Sequence, residues 1–146
     1  MKWQIFSIGK PSLNFAKLGI EEYSKRLRRY TKVEFSQNRE GGSGKNSRFL
    51  LDASEGAFRV ALDERGDCLS TLQLVEEVEL WQNTGRKKIA LLIGGADGHT
   101  DELREKVDQV WSLSRFTLQH ELAQLVLLEQ IYRVHTILKG EPYHRA

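Results

Sequence analysis

The feature that most constrains this chain is residues 120–139, which read as one long helix that is apolar around most of its circumference. Leu122, Ala123, Leu125, Val126, Leu127, Leu128, Ile131, Val134, Ile137 and Leu138 leave little polar surface on it. Such a helix must be covered on more than one side, and a chain of 146 residues has few layers to cover it with. Gly140 stands just past the helix end and Pro142 forbids continuation. Glu129 and Arg133 are four residues apart, the spacing of an ion pair on one helix face. Beyond the stop, Glu141, Tyr143, His144 and Arg145 form a polar tail on the end of a rigid element. Composition weighs that tail equally as a frayed terminus and as a working appendage.

The length suits one domain, residues 1–146, large enough to bury roughly two-thirds of the surface an unfolded chain exposes. Lys and Arg number 22 against 20 Asp and Glu, so overall charge neither favours nor excludes a polyanion, and distribution decides. The single cysteine, Cys68, excludes an internal disulfide and suits a reducing cytoplasm. No signal-peptide pattern opens the chain and no apolar run reaches membrane-span length. The expectation is a soluble cytoplasmic domain with no membrane partner.

In chain order, residues 3–8 alternate into a strand that ends at the Gly9-Lys10-Pro11 turn. Ala16, Ile20, Tyr23, Leu27 and Tyr30 then recur every three or four residues, the period of an amphipathic helix. Its outer face carries Lys25, Arg26, Arg28, Arg29 and Lys32 with little acid among them: a solvated face, or a contact for phosphates. A short strand at 33–35 leads to a polar, glycine-rich loop at 39–46 and a short helix from about Ser47. That loop is not a P-loop, because Arg39 stands where the first glycine is required and Asn46 replaces Ser or Thr. A strand follows at 58–63, and Ser70 with Gln73 is a capping-box signal for a helix running to about Trp81. Residues 88–93 are a continuous apolar strand of the kind buried on both faces of a parallel sheet. Thr100, with Asp101 and Glu102, opens another helix, and a strand at 110–113 precedes the long one. Strand and helix alternate five times, which implies an α/β fold: a single domain with a parallel sheet flanked by helices and right-handed crossovers.

In open α/β sheets, ligands bind outside the carboxyl ends of the strands. Three segments end strands here: Leu62-Asp63, the glycine loop Gly94-Gly-Ala-Asp-Gly98, and residues 112–119. Glycines let backbone amides approach a ligand closely. The loop does not spell Gly-x-Gly-x-x-Gly, so the pattern does not indicate a Rossmann dinucleotide site, and alone it reads as a tight turn more often than a ligand loop.

Taken together, Ile93-Gly-Gly-Ala-x-Gly, Leu113-Ser-x-x-Thr-Leu-x-His120, Leu128-Glu-Gln-Ile-Tyr-Arg133 and the terminal Gly140-Glu-Pro-Tyr-His144 resemble the ribosomal RNA large subunit methyltransferase H family, a SPOUT class. The likeness extends to Ile5-x-x-x-Gly-Lys10 and Ala61-Leu-Asp-x-x-Gly66, and is loose between Arg39 and Glu55. The resemblance implies a parallel sheet with a C-terminal trefoil knot, a homodimer, and S-adenosylmethionine (S-adenosyl-L-methionine) as cofactor. It implies methylation of N3 of a pseudouridine in the helix 69 loop of 23S rRNA within the assembled ribosome. By the same resemblance Leu62, Gly95, Leu113, Ser114, Arg115, Phe116, Thr117 and Leu118 hold the cofactor through backbone groups and apolar packing. His144, Tyr143 and Arg133 are the implied catalytic residues, and His120 matches a family position close to cofactor or RNA.

Those residue types suit that chemistry. N3 of pseudouridine lies between two carbonyls and keeps its proton at neutral pH, so relieving it of that proton is work for a histidine. Arg133 suits a phosphate or a developing oxyanion, and Tyr143 suits stacking or hydrogen bonding to a base. Structural alternatives stay open: Arg133 neutralising Glu129, His120 capping its helix, His144 contacting RNA rather than serving as base. The chain departs from the family at Gln119, Gln124 and Asp97, where proline, arginine and an aromatic are usual. Two readings compete with the enzyme: a non-catalytic knotted module that binds S-adenosylmethionine or rRNA, and a flavodoxin-like FMN carrier.

Overall fold

Alternation along the strand Lys88–Ile93 sends Ile89, Leu91 and Ile93 to one side and Ala90 and Leu92 to the other, and all five are buried. That strand is therefore an interior one covered on both faces. The computed structural model describes residues 1–145. In order they form β1 (Lys2–Ile8), α1 (Asn14–Leu27), β2 (Lys32–Asn38), α2 (Ser43–Ala53) and β3 (Phe58–Cys68). Then follow α3 (Thr71–Asn83), β4 (Lys88–Ile93), α4 (Asp101–Lys106), β5 (Gln109–Ser112) and α5 (His120–Leu138). The five strands make one parallel sheet in the order β2-β1-β4-β3-β5. The α/β reading of the alternation holds.

One face buries Trp3, Ile5, Val60 and Leu91 beneath α1, α3 and α5. The other buries Phe6, Ala61 and Leu92 beneath Leu50 of α2 and Leu103 of α4. On α5, Leu127, Leu128, Ile131 and Val134 are essentially inaccessible, and truncating either leucine or Ile131 to alanine would cost about 2–5 kcal/mol. The second cover that so apolar a helix requires is α1. The two approach so closely that a Cβ on Gly19 would fall 2.6 Å from Leu125 Cδ1. The helix ends in a Schellman arrangement: Gly140 N donates to Ile137 O at 3.0 Å, Glu141 N to Thr136 O at 2.9 Å, and Gly140 has φ +69°. Among the described residues no helix is long and apolar enough to cross a membrane.

The capping box at Ser70 and Gln73 forms as its spacing predicts, and Thr100 caps α4. Several boundaries differ from the sequence reading, β2 among them, which spans Lys32–Asn38 rather than 33–35. The glycine-rich loop is shorter than it looks, because α2 already starts at Ser43. Tyr30 lies in a turn beyond α1, although it keeps the helical apolar period. β3 runs on to Cys68 through an irregularity, its register with β5 slipping between Leu62 and Asp67. The slip is held by Gly66: a Cβ there would sit 2.5 Å from the Val110 carbonyl, so only glycine lets the two backbones meet.

Candidate functional site

A cleft of about 450 Å³ opens at the carboxyl ends of β4 and β5 and where β3 leaves its pairing with β4 after Leu62. The parallel arrangement brings the three strand-end segments to one place, as the topology of open α/β sheets requires. Leu62, Ile93, Trp111, Leu113, Leu118 and Ala123 give it apolar walls, and Gly94, Gly95 and Gly98 give it a side with no side chains. The glycine loop is a turn closed by Gly98 N donating to Gly95 O at 3.0 Å, with Gly98 at φ +72°. The opposite wall, from Ser112 to Gln119, is pinned by its own hydroxyls. Ser112 Oγ donates to Ser114 O at 2.8 Å, Ser114 Oγ accepts from Phe116 N at 3.0 Å, and Thr117 Oγ1 donates to Glu64 at 3.1 Å. Gln119 then caps α5, its Oε1 accepting from Glu121 N and Leu122 N at 2.9 and 3.0 Å. The cap is therefore Gln119, whose Nε2 also lies 3.3 Å from His120 Nδ1, and His120 lines the cleft.

A buried support lies behind the glycine loop. Arg104 Nη1 donates to Asp63 at 3.1 Å and to His99 O at 2.7 Å, tying the irregular middle of β3 to the start of α4. Burial alone would push the Asp63 carboxyl up, but the Arg65 backbone N–H and the Arg104 guanidinium outweigh it and hold it below the usual carboxylate range. His99 is buried, its Nε2 lies 3.1 Å from Leu92 O, and Nδ1 has no partner among the described residues. A carbonyl can only accept, so Nε2 carries the proton, and burial keeps the ring neutral by depressing its pKa. Its ring fills the space beside Gly94, where a Cβ would stand 3.2 Å from His99 Cε1.

The tail forms a second cluster. Arg133 donates twice to Glu129 Oε1, from Nε at 3.0 Å and Nη2 at 2.5 Å, and once to His144 Nδ1 from Nη1 at 3.1 Å. Tyr143 OH donates to the same Glu129 oxygen at 3.0 Å, lies 3.3 Å from Tyr23 OH, and packs its ring 4.8 Å from the Arg133 guanidinium carbon. The bond to Glu129 raises the Arg133 pKa further, and burial with the Tyr23 and Glu129 bonds raises that of Tyr143, so its phenol stays protonated. Because arginine can only donate, His144 Nδ1 accepts, and the neutral ring carries its proton on Nε2.

Leu62, Gly95, Leu113, Ser114, Phe116, Thr117 and Leu118 thus meet in one cleft, whereas Arg115 is exposed on the same loop and outside the lining. Arg133, Tyr143 and His144 meet one another but not the cleft. Ala123 is the last α5 residue in the lining, and Arg133 lies ten residues further on, about 15 Å along the axis. Within one chain the tail cluster and the cleft stay apart. Sequence reasoning missed Ile93, Trp111 and Ala123, although Ala123 lies three residues after His120 on the same helical face. It also missed the Asp63–Arg104 support, which spans 41 residues and leaves no local signal.

A family model described as a predicted SPOUT methyltransferase matches residues 1–144. The chain is similar to a ribosomal RNA large subunit methyltransferase H of Thermus thermophilus, at 44% identity over 145 residues covering 99% of each chain. It is 42% identical over 145 residues, again 99% of each, to the Deinococcus radiodurans protein of the same name. Among solved structures it is similar to a tRNA (m1G37) methyltransferase from Aquifex aeolicus, with TM-score 0.57 and 19% identity over all of this chain and 76% of that one. A putative methylase family protein from Neisseria gonorrhoeae gives TM-score 0.60 and 13% identity over 99% of this chain and 88% of that one. At those identities the two structures speak for the fold alone.

Proposed function

The chain belongs to the SPOUT methyltransferase family, and on that premise we propose that it is a homodimeric methyltransferase of large-subunit ribosomal RNA, using S-adenosylmethionine. The target we propose is N3 of a pseudouridine in helix 69 of 23S rRNA. The observation that carries the reading is the cleft. Three strand ends converge on a space with apolar walls suited to adenine and exposed backbone suited to ribose and amino-acid polar groups. Leu62, Gly95, Leu113 and Leu118, with Ser114, Phe116 and Thr117, are the residues that would hold the cofactor. The family's trefoil knot would wrap the 113–118 loop about it. S-adenosylmethionine supplies an electrophilic methyl group on a sulfonium sulfur.

The chain's own groups must then hold the base in line, which is the larger share of the work, and accept the N3 proton. His144 fits the proton's acceptor once its ring exchanges the Arg133 bond for the base. Tyr143, kept protonated, donates a hydrogen bond, and Arg133 stays a fixed cation for a carbonyl oxygen or a phosphate. The three sit about 15 Å along α5 from their own cleft, which favours their serving the cleft of a second copy. Among the described residues the last helix leaves no large apolar side chain exposed; exposed ones stand on α3 (Leu72, Leu80), at Phe116 in the cleft wall, and as a run of three at the start of α1, where Leu13, Phe15 and Leu18 are 38%, 53% and 68% exposed. That patch adjoins the cleft end of α5, because Glu121 accepts from Ser12 N and from Leu13 N at 3.1 Å.

The test is incubation with labelled S-adenosylmethionine and ribosomes lacking the modification. Label at N3 of a helix 69 pseudouridine is expected; ribosome binding without label would replace the enzyme with a binding module. Mixing Gly95→Val chains with His144→Ala chains examines the shared site. Each homodimer should be inactive and the mixture active, and an inactive mixture would return the site to a single chain.

A further inference from the structure

The opposite end of the sheet carries a concentration of charge that the cleft does not use. Where β1, β2 and β4 begin, Lys2 stands in register with Lys32 on one side and Lys88 on the other, a row of three lysines across adjacent strands. Like charges set side by side in a sheet are destabilising. Of the three, Lys2 alone has a carboxylate within 4 Å among the described residues, Glu34 at 2.9 Å. Beside the row is a hollow of about 740 Å³. Lys2, Lys32, Arg86, Lys87 and the N-terminal residue Met1 line it, and none of its nine lining residues is acidic. A chain with 22 basic and 20 acidic residues has here four cationic side chains and no anionic one, so the charge is segregated. Two carboxylates bond to wall residues from outside the lining: Glu34 pairs with Lys2, and Glu141 is engaged by the Tyr30 hydroxyl. Arg86 is held over the Phe58 ring at 4.1 Å, and Arg28 and Arg29 extend the exposed basic surface from the end of α1.

We infer that this basic hollow is a second RNA-contact surface, one that binds the sugar–phosphate backbone of a ribosomal RNA segment other than the segment presenting its base to the cleft. The choice of RNA as the polyanion rests on the ribosomal reading above. Backbone rather than base is the ligand because the wall offers point charges, while its one aromatic ring, Tyr30, is half-buried with its hydroxyl taken. The six residues of β4, at about 3.3 Å each, set the hollow and the glycine loop nearly 20 Å apart at opposite ends of the strands. Contacts at both ends therefore fall on separate segments, which a folded ribosomal particle supplies and a short oligonucleotide does not.

The test compares the native chain with a Lys32→Gln, Lys87→Gln double variant on a random-sequence RNA duplex and on ribosomes across a salt series. Two lost phosphate contacts should flatten the slope of log K against log salt by about 1.4–1.8 and weaken duplex binding on the order of tenfold. The Lys→Arg pair should restore both. Melting temperature should hold or rise as the lysine row is relieved, and the melting shift caused by S-adenosylmethionine should not change. Equal slopes and affinities, or a native chain that does not bind duplex RNA, would overturn the inference, as would a variant that loses stability in step with affinity. A native chain that binds duplex through these lysines yet leaves ribosomes unmethylated would uphold the surface and sink the proposed activity.

Discussion

His135 makes the fold sensitive to acid by an amount that can be worked out. Its ring is buried near the end of α5, stacked on Tyr30, and its Nε2 accepts a hydrogen bond from Trp3 Nε1 at 3.0 Å. An accepting Nε2 requires the neutral ring. Burial first, then Lys139 and the N-terminal ammonium, push its pKa from 6.5 to about 4. An unfolded chain takes up this proton near pH 6.5, while the folded one resists until about pH 4. Between those values the unfolded state binds more protons, so the contribution is complete above pH 6.5 and is lost as pH falls toward 4. At about 1.4 kcal/mol per pH unit the loss comes to roughly 3 kcal/mol, against a typical domain stability of roughly 5–15 kcal/mol. His135→Gln removes the titration and leaves an amide oxygen to accept from Trp3. Urea unfolding at fixed protein concentration, followed by fluorescence of the packed Trp3, Trp81 and Trp111, gives the stability of each chain from pH 7 to 4. The native chain should lose about 3 kcal/mol more than the variant over that range. His99, also depressed by burial, is present in both and cancels. Equal losses, or a native loss that begins only below pH 4, would refute the reasoning.

Gly66→Ala should destabilise the chain by about 2–4 kcal/mol, because the new Cβ meets the Val110 backbone, which cannot yield without breaking β3–β5 pairing. A melting temperature equal to the native one would remove that account. S-adenosylmethionine at about a hundred times its Kd should add roughly 2.7 kcal/mol, a melting shift on the order of 5–10 °C. Gly95→Val should erase the shift while melting near normally, since its nearest obstacle, 2.6 Å from a Cβ, is the Glu40 carboxylate at the end of a flexible side chain. An equal shift with ATP alone would count against the cofactor assignment. Light scattering at micromolar concentration should give twice 16.8 kDa, and Leu18→Glu should halve it; a native monomer would break the homodimer reading.

The strands were legible wherever burial on both faces left an unbroken apolar run, as in β4, and helix starts wherever a side chain caps them, as at Ser70 and Thr100. β3 beyond Asp63 was not, because Glu64, Arg65 and Asp67 are polar and exposed, and their pairing is fixed by the approach of Gly66 to Val110. The cleft was legible because parallel strands gather their carboxyl ends whatever the side chains. The separation of the tail cluster from the cleft was hidden, since motif order says nothing of distance: Arg133 and His120 look like neighbours on one helix, and the helix itself holds them apart. Gln119, where the resemblance implied proline, has a local task in accepting the first amides of α5.

The continuity of α5 between its cleft residues and the Arg133 cluster also restricts how such a chain can change length. Each inserted residue turns everything beyond it by about 100° and advances it by about 1.5 Å. One extra residue between Ala123 and Arg133 would swing the Glu129–Arg133–His144 group away from Tyr23 and drive Leu127 or Ile131 toward water. Three or four residues nearly restore the phase, but displace the tail by roughly a whole turn along the axis. Insertions here are therefore filtered by phase for the core and by reach for the tail, and no single length change satisfies both.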